Sequence, residues 1–162
     1  MSTNRTLAAQ KFATEWADPA RGREIADTQT FWNQFLQEVM GIQRVHHIID
    51  YEKRVRIGRS QKRVDAYIPE SRVLIEQKSA TNDLSQPDTT TSLTPYEQAL
   101  NYAAHLPPSE QPKYIITSNF HTFNIYDREA DPAGIDPTTI HLDELPQQLA
   151  TFNFITDPHR HC

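Results

Sequence analysis

Hydrophobic positions recur with helical spacing twice in the first quarter of the chain. Leu7, Ala8, Phe12, Ala13 and Trp16 fall on one face before Asp18-Pro19, which predicts a short amphipathic helix over 7–17. A stronger stripe of Ile25, Thr28, Phe31, Trp32, Phe35, Leu36 and Val39 predicts a second helix from about Glu24 to Met40, with Gly41 as its stop. From Val45 the pattern changes to β-branched residues alternating with polar ones. HHIIDYEKRVRI reads as a strand, Gly58-Arg59-Ser60 as a turn, and KRVDAYI as a second strand. After a turn at Pro69-Glu70-Ser71, RVLIEQKS reads as a third strand, so the three form a meander.

The polar, Thr-rich segment 81–94 cannot bury much and predicts a long mobile loop. Thr94-Pro95 has the form of an N-cap followed by proline in the first helical turn, opening a helix through YEQALNYAAHL that stops before Pro107-Pro108. PKYIITSN and HTFNIYD read as two strands around a tight turn at Asn119-Phe120, and one more helix is expected near 142–151. This order predicts an α/β fold, a mixed β-sheet flanked by helices.

The length, 162 residues, suits one domain, taken as 1–162 with a core at about 20–128 and an acidic C-terminal extension at about 129–162. No apolar run reaches the roughly 20 residues a membrane helix needs, and the N-terminus lacks the pattern of a secretory signal, so a cytoplasmic protein is expected. The one cysteine, Cys162, excludes an intrachain disulfide and a Cys-rich zinc site. His46 and His47, read as strand neighbours, would point to opposite faces and could not share a metal; the terminal His159-Arg160-His161-Cys162 is the other place a zinc site could be sought. Four glycines provide no phosphate-binding loop. The net charge is −5, but it is unevenly spread: 53–63 carries six basic side chains and no acid, whereas seven acids from Asp127 onward face only Arg128 and Arg160. The basic stretch, and within it Arg59, Lys62 and Arg63, is the candidate DNA-facing element; a charged, solvated strand edge is the plainer reading.

Strand alternation in RVLIEQKS puts Leu74, Glu76 and Lys78 on one face, with Val73, Ile75 and Gln77 on the other. Asp65 sits between Val64 and Ala66 on the preceding strand, and the ten residues separating it from Glu76 suffice for a hairpin that brings the acids together. Two facing carboxylates repel unless a cation joins them, and hard oxygen donors select Mg²⁺ or Mn²⁺. Such an ion serves phosphodiester cleavage, where Lys78 would orient a water and stabilise transition-state charge. An isolated Glu-x-Lys on a strand is otherwise a solvated ion pair.

Asp65, ten residues, then Glu76-Gln77-Lys78 resembles the PD-(D/E)xK nuclease superfamily, and RVDAYIPESRVLIEQKS resembles the nuclease segment of MmeI-like type IIL restriction-modification enzymes. Val64 stands where that motif often has proline. The segment from Arg23 to Trp32 resembles the family's early helix, from which an acid reaches the metal; Glu24 and Asp27, three apart, are both candidates, with Glu24 ranked ahead. Gln98 and Tyr102 resemble the family's Q-x-x-x-Y motif, with both side chains facing the same direction. The resemblance, read over roughly residues 5–128, implies a restriction-endonuclease-like fold and a Mg²⁺-dependent endonuclease in which Mn²⁺ can substitute. It implies catalytic Asp65, Glu76, Lys78, Gln98 and Tyr102, and metal ligation by Asp65, Glu76, Gln77 and Glu24. The implied partners are double-stranded DNA, a methyltransferase or specificity domain or subunit, and a transient dimer for cutting both strands. The alternative is a catalytically inactive DNA-binding or scaffold module that kept the nuclease fold.

Overall fold

The structure is a computed structural model and describes residues 2–156. Its elements are α1 (Ser2–Trp16), α2 (Glu24–Gln34), which runs on into a single π turn at Phe35–Val39, then β1 (Arg54–Ile57), β2 (Ser60–Arg63), β3 (Ala66–Ile68), β4 (Val73–Gln77), α3 (Pro95–Ala103), β5 (Tyr114–Ser118), β6 (Thr122–Asp127) and β7 (Thr138–His141). The architecture is the mixed α/β one expected. β3-β4-β5-β6-β7 form one sheet, antiparallel except for the parallel β4–β5 pair. A parallel pair needs a crossover, and the segment holding α3 supplies it. A capping box at Thr94 and Glu97 fixes where α3 begins.

Each face of the sheet has its own core. Val73, Ile75, Ile116, Phe123 and Ile140 pack with Phe12, Trp16, Phe31, Trp32 and Phe35 of α1, α2 and the π turn. Leu74, Ile115 and Tyr126 pack on the other side with Ala99 and Ala103 of α3 and with Val55 of β1. A tight turn at Phe120, φ 72°, buries that ring stacked on Trp16.

Three differences from the sequence reading have physical causes. The run 46–57 is not one strand: Val45–His47 is a 3-10 turn, and only 54–57 extends. His46 and His47 are therefore turn neighbours with exposed rings 4.3 Å apart, and among the described residues no group of three or more His, Cys, Asp or Glu could hold a metal by itself. The terminal His159–Cys162 segment lies outside the described residues. Next, KRVDAYI breaks at Val64-Asp65. β1 and β2 form a separate two-stranded ribbon, and β3 begins afresh in the main sheet, so the meander expected over 46–79 does not form. Finally, the C-terminal segment adds β7 to the sheet edge, and the helix expected near 142–151 is replaced by two 3-10 segments, Leu142–Gln147 and Leu149–Ile155, whose Leu145, Phe152 and Ile155 enter the first core. Pro146 inside the first of them is incompatible with a continued α-helix.

Candidate active site

The site is built where β3 begins and β4 ends. Ala66 pairs with Ile75, so the next residue back, Asp65, lies beside Glu76 at the end of the ladder. The chain bends there, and the Gln77 N–H donates to Asp65 Oδ2 at 2.7 Å instead of to a strand carbonyl. On β4 the alternation expected from sequence holds. Gln77 faces α2, where its Oε1 accepts the Trp32 indole N–H at 2.8 Å and its amide donates to the Lys78 carbonyl at 2.9 Å. Glu76 and Lys78 face the α3 side, and Lys78 Nζ lies 3.3 Å from Glu76 Oε2. Lys78 Nζ also donates to Gln98 Oε1 at 3.0 Å, and Gln98 Nε2 donates to the Tyr102 hydroxyl at 3.0 Å. Asp65, Glu76, Lys78, Gln98 and Tyr102 thus form one connected set. Glu76 is 2% exposed and Lys78 7% exposed.

Burial pushes the Asp65 carboxyl up to about 6; the Gln77 N–H opposes the rise and the Glu24 charge adds to it. Glu76 is driven well above the usual carboxylate range by burial and then by Asp65, against the pull of Lys78. For Lys78, burial disfavours the ammonium, but the charges of Glu76, Glu24 and Asp65 outweigh it and hold its pKa above the ordinary value. A buried carboxylate with one oxygen lacking any partner is costly, and Glu76 Oε1 is such an oxygen.

The two acids of α2 divide. Asp27 accepts the N–H groups of Gly22 and Arg23 and pairs with the Arg23 guanidinium at 3.2 Å, so it serves the start of the helix. Burial raises its pKa, but these partners outweigh that and leave it below the usual range. Glu24 turns toward the carboxylates: it lines a cleft of about 70 Å³ with Ile25, Thr28, Gln29, Tyr51, Arg63 and Asp65. Organic substrates need clefts of roughly 300 Å³ or more, whereas this one has room for about two waters or an ion. A larger cleft of about 550 Å³, between α1 and the first C-terminal 3-10 segment, holds no comparable cluster.

The donor set fits a hard divalent cation. Mg²⁺ takes one or two protein carboxylates and completes its shell with water and phosphate oxygens, so Asp65 and Glu76 suffice without a third tightly grouped acid. Of the expected ligands, Gln77 can contribute only its main-chain carbonyl, because its side chain is committed to Trp32 and Lys78 on the opposite side of the strand.

Arg59, Lys62 and Arg63 are all exposed on the β1–β2 ribbon. They do not act as one face. Lys62 is paired with Val55 and shares its side, Arg63 is paired with Arg54 on the other, and Arg59 lies in the turn between the strands. One residue that the sequence reading missed also bears on the site. Trp32 anchors Gln77, which only the tertiary pairing of α2 with β4 reveals.

A family model described as MmeI, N-terminal domain, matches residues 7–161. The chain belongs to that family. The match runs well past residue 128, taking in β7 and the 3-10 segments behind it, and membership associates the domain with restriction-modification enzymes and hence with DNA. Comparisons with curated proteins and with solved structures gave no match. No helix among the described residues is long and apolar enough to cross a membrane.

Proposed function

We propose that this MmeI-family domain hydrolyses phosphodiester bonds of double-stranded DNA with Mg²⁺, or Mn²⁺ in its place, as the cleavage domain of a restriction-modification enzyme of PD-(D/E)xK type. The observation that carries the reading is Glu76: a carboxylate 2% exposed, one oxygen without a partner, set beside Asp65 and tied to Lys78. A buried acid beside a second, half-buried one costs stability unless a cation is shared between them. Asp65 and Glu76 would hold the ion, with the Gln77 carbonyl as a further protein donor and Glu24, which lines the same small cleft as Asp65, facing it through water. When bound, it would polarise the scissile phosphoryl oxygen and make a water more acidic.

The protein's own contribution is positioning and charge. Lys78 serves as a donor rather than as a base, its Nζ being set between two acceptors, Glu76 Oε2 at 3.3 Å and Gln98 Oε1 at 3.0 Å. Its ammonium holds the attacking water and meets negative charge growing on the phosphate. Gln98 fixes that ammonium at 3.0 Å and Tyr102 fixes Gln98, which limits Lys78 to few rotamers. Arg63, with Arg59 and Lys62 nearby on the ribbon, would contact backbone phosphates beside the scissile one. Sequence recognition would come from a methyltransferase or specificity domain or subunit, and double-strand cleavage from a transient dimer.

Titrating Mg²⁺ against supercoiled plasmid tests the reading. Nicked and linear products should rise to a plateau with metal and vanish with EDTA. A protein that binds duplex yet yields no cut strand at any metal concentration would be the inactive scaffold instead.

A further inference from the structure

Arg54 and Arg63 stand directly opposite each other in the antiparallel register of β1 and β2. Residues so paired share a face, and like charges placed this way destabilise a ribbon. Glu52 relieves the repulsion, with its carboxylate 3.9 Å from Arg54 and 3.6 Å from Arg63. Arg56 and Gln61 continue the same outward face, while Val55, 3% exposed, packs the other side into the core and prevents the ribbon from turning over. The three charged groups remain open to solvent, with side chains 55%, 52% and 67% exposed for Arg54, Arg63 and Glu52.

Exposed ion pairs at these distances are weak, so Glu52 holds its place only until a better anion arrives. A phosphodiester is such an anion. Its two non-bridging oxygens match the fork of a guanidinium, and charge-assisted bonds of that kind are about twice as strong as neutral ones. Location decides which phosphate. Arg63 is two residues from Asp65 and borders the small cleft together with Glu24 and Asp65, so the pair sits at the edge of the candidate active site. An open face continued by Arg56, and by Arg59 in the turn, suits a polyanion more than a small anion, which would need a closed pocket.

We infer that Arg54 and Arg63 clamp a DNA backbone phosphate next to the scissile one, and that Glu52 fills the clamp in the free protein and is exchanged for the phosphate on binding. Glu52 is then a built-in competitor, and Arg54 and Arg56 join Arg63 as phosphate contacts ahead of Lys62. The inference rests on the nuclease reading for its substrate.

The test is binding of a fluorescent DNA duplex to the full chain in EDTA, where nothing is cut, between 50 and 200 mM salt. Each of Arg54→Ala and Arg63→Ala should weaken binding and flatten the plot of log K against log salt, and removing both should flatten it by about 0.9, the value for one lost phosphate contact. Glu52→Gln should bind about three- to tenfold tighter, the gain from removing two weak exposed pairs. Melting curves confirm that all the variants are folded. Affinities and slopes like wild type in Arg54→Ala and Arg63→Ala would overturn the clamp, and a Glu52→Gln protein that binds no tighter would overturn the exchange. Cleavage of plasmid in Mg²⁺ is read separately. Shifted binding with no cleavage by the wild type keeps the clamp and removes the nuclease reading, whereas cleavage with unshifted binding does the reverse.

Discussion

Replacing Asp65 with Asn should stabilise the metal-free protein while removing its response to metal. The folded state raises the Asp65 carboxyl from its ordinary 3.8 to about 6, first by burial. The folded chain therefore holds this proton more tightly than the unfolded chain, and stability falls as pH rises from about 4 to about 6. Above that window the full penalty applies. A difference of roughly two pH units at about 1.4 kcal/mol each makes it about 3 kcal/mol. Asn carries no charge, and its Oδ1 can still accept the Gln77 N–H that Asp65 accepts at 2.7 Å. Removing the charge also relieves Glu76, whose pKa Asp65 raises. Urea unfolding at pH 8 in EDTA should show Asp65→Asn more stable than wild type by about 1–3 kcal/mol. The gap should close toward pH 4, where both carry a neutral side chain. Millimolar Mg²⁺ should raise the wild-type midpoint and leave the variant unchanged. A variant less stable than wild type at pH 8 in EDTA would show instead that ionised Asp65 is a favourable partner in the metal-free fold.

Other substitutions probe the supports of the site. Trp32→Phe deletes the indole donor and leaves Gln77 Oε1 buried without its 2.8 Å partner, so unfolding should cost about 1–3 kcal/mol less, read by urea denaturation. Gly22→Ala forces a side chain onto φ 95° and its Cβ to within 2.6 Å of the Ala80 Cβ, where the Ala80 N–H donates to the Gly22 carbonyl. It should destabilise by about 1–3 kcal/mol in a thermal melt and move Glu24 away from Asp65, weakening Mg²⁺ binding measured by calorimetry. Gln98→Ala frees the Lys78 ammonium, and plasmid cleavage should slow about tenfold or more with little change in melting temperature.

Much of the site was legible because its spacing is local. The period of two in RVLIEQKS puts Glu76 and Lys78 together whatever the rest of the chain does, and Thr94-Pro95 announces α3, so Gln98 and Tyr102 fall on one helix face. What sequence left open depended on distant partners. Glu24 and Asp27 are equivalent by spacing, and only the Gly22 and Arg23 contacts remove Asp27 from the choice. The break at Val64-Asp65 was hidden because a strand that leaves one sheet for another keeps its alternation across the bend. β7 was missed because TTIH is short and three of its four residues are exposed, so it has almost no hydrophobic pattern until β6 pairs with it. The opposed arginines 54 and 63 needed the ribbon register before they could be seen as a pair.

A metal-dependent phosphodiesterase centre at Asp65, Glu76 and Lys78, as proposed, must lose rate when the Lys78 ammonium is removed. Plasmid cleavage by the wild type and Lys78→Ala is compared at saturating Mg²⁺, with DNA binding measured on the same samples. Binding should be similar and the rate lower by about 100-fold or more in the variant, the scale of losing one charge-stabilising donor. Equal cutting by the two proteins would contradict the proposal.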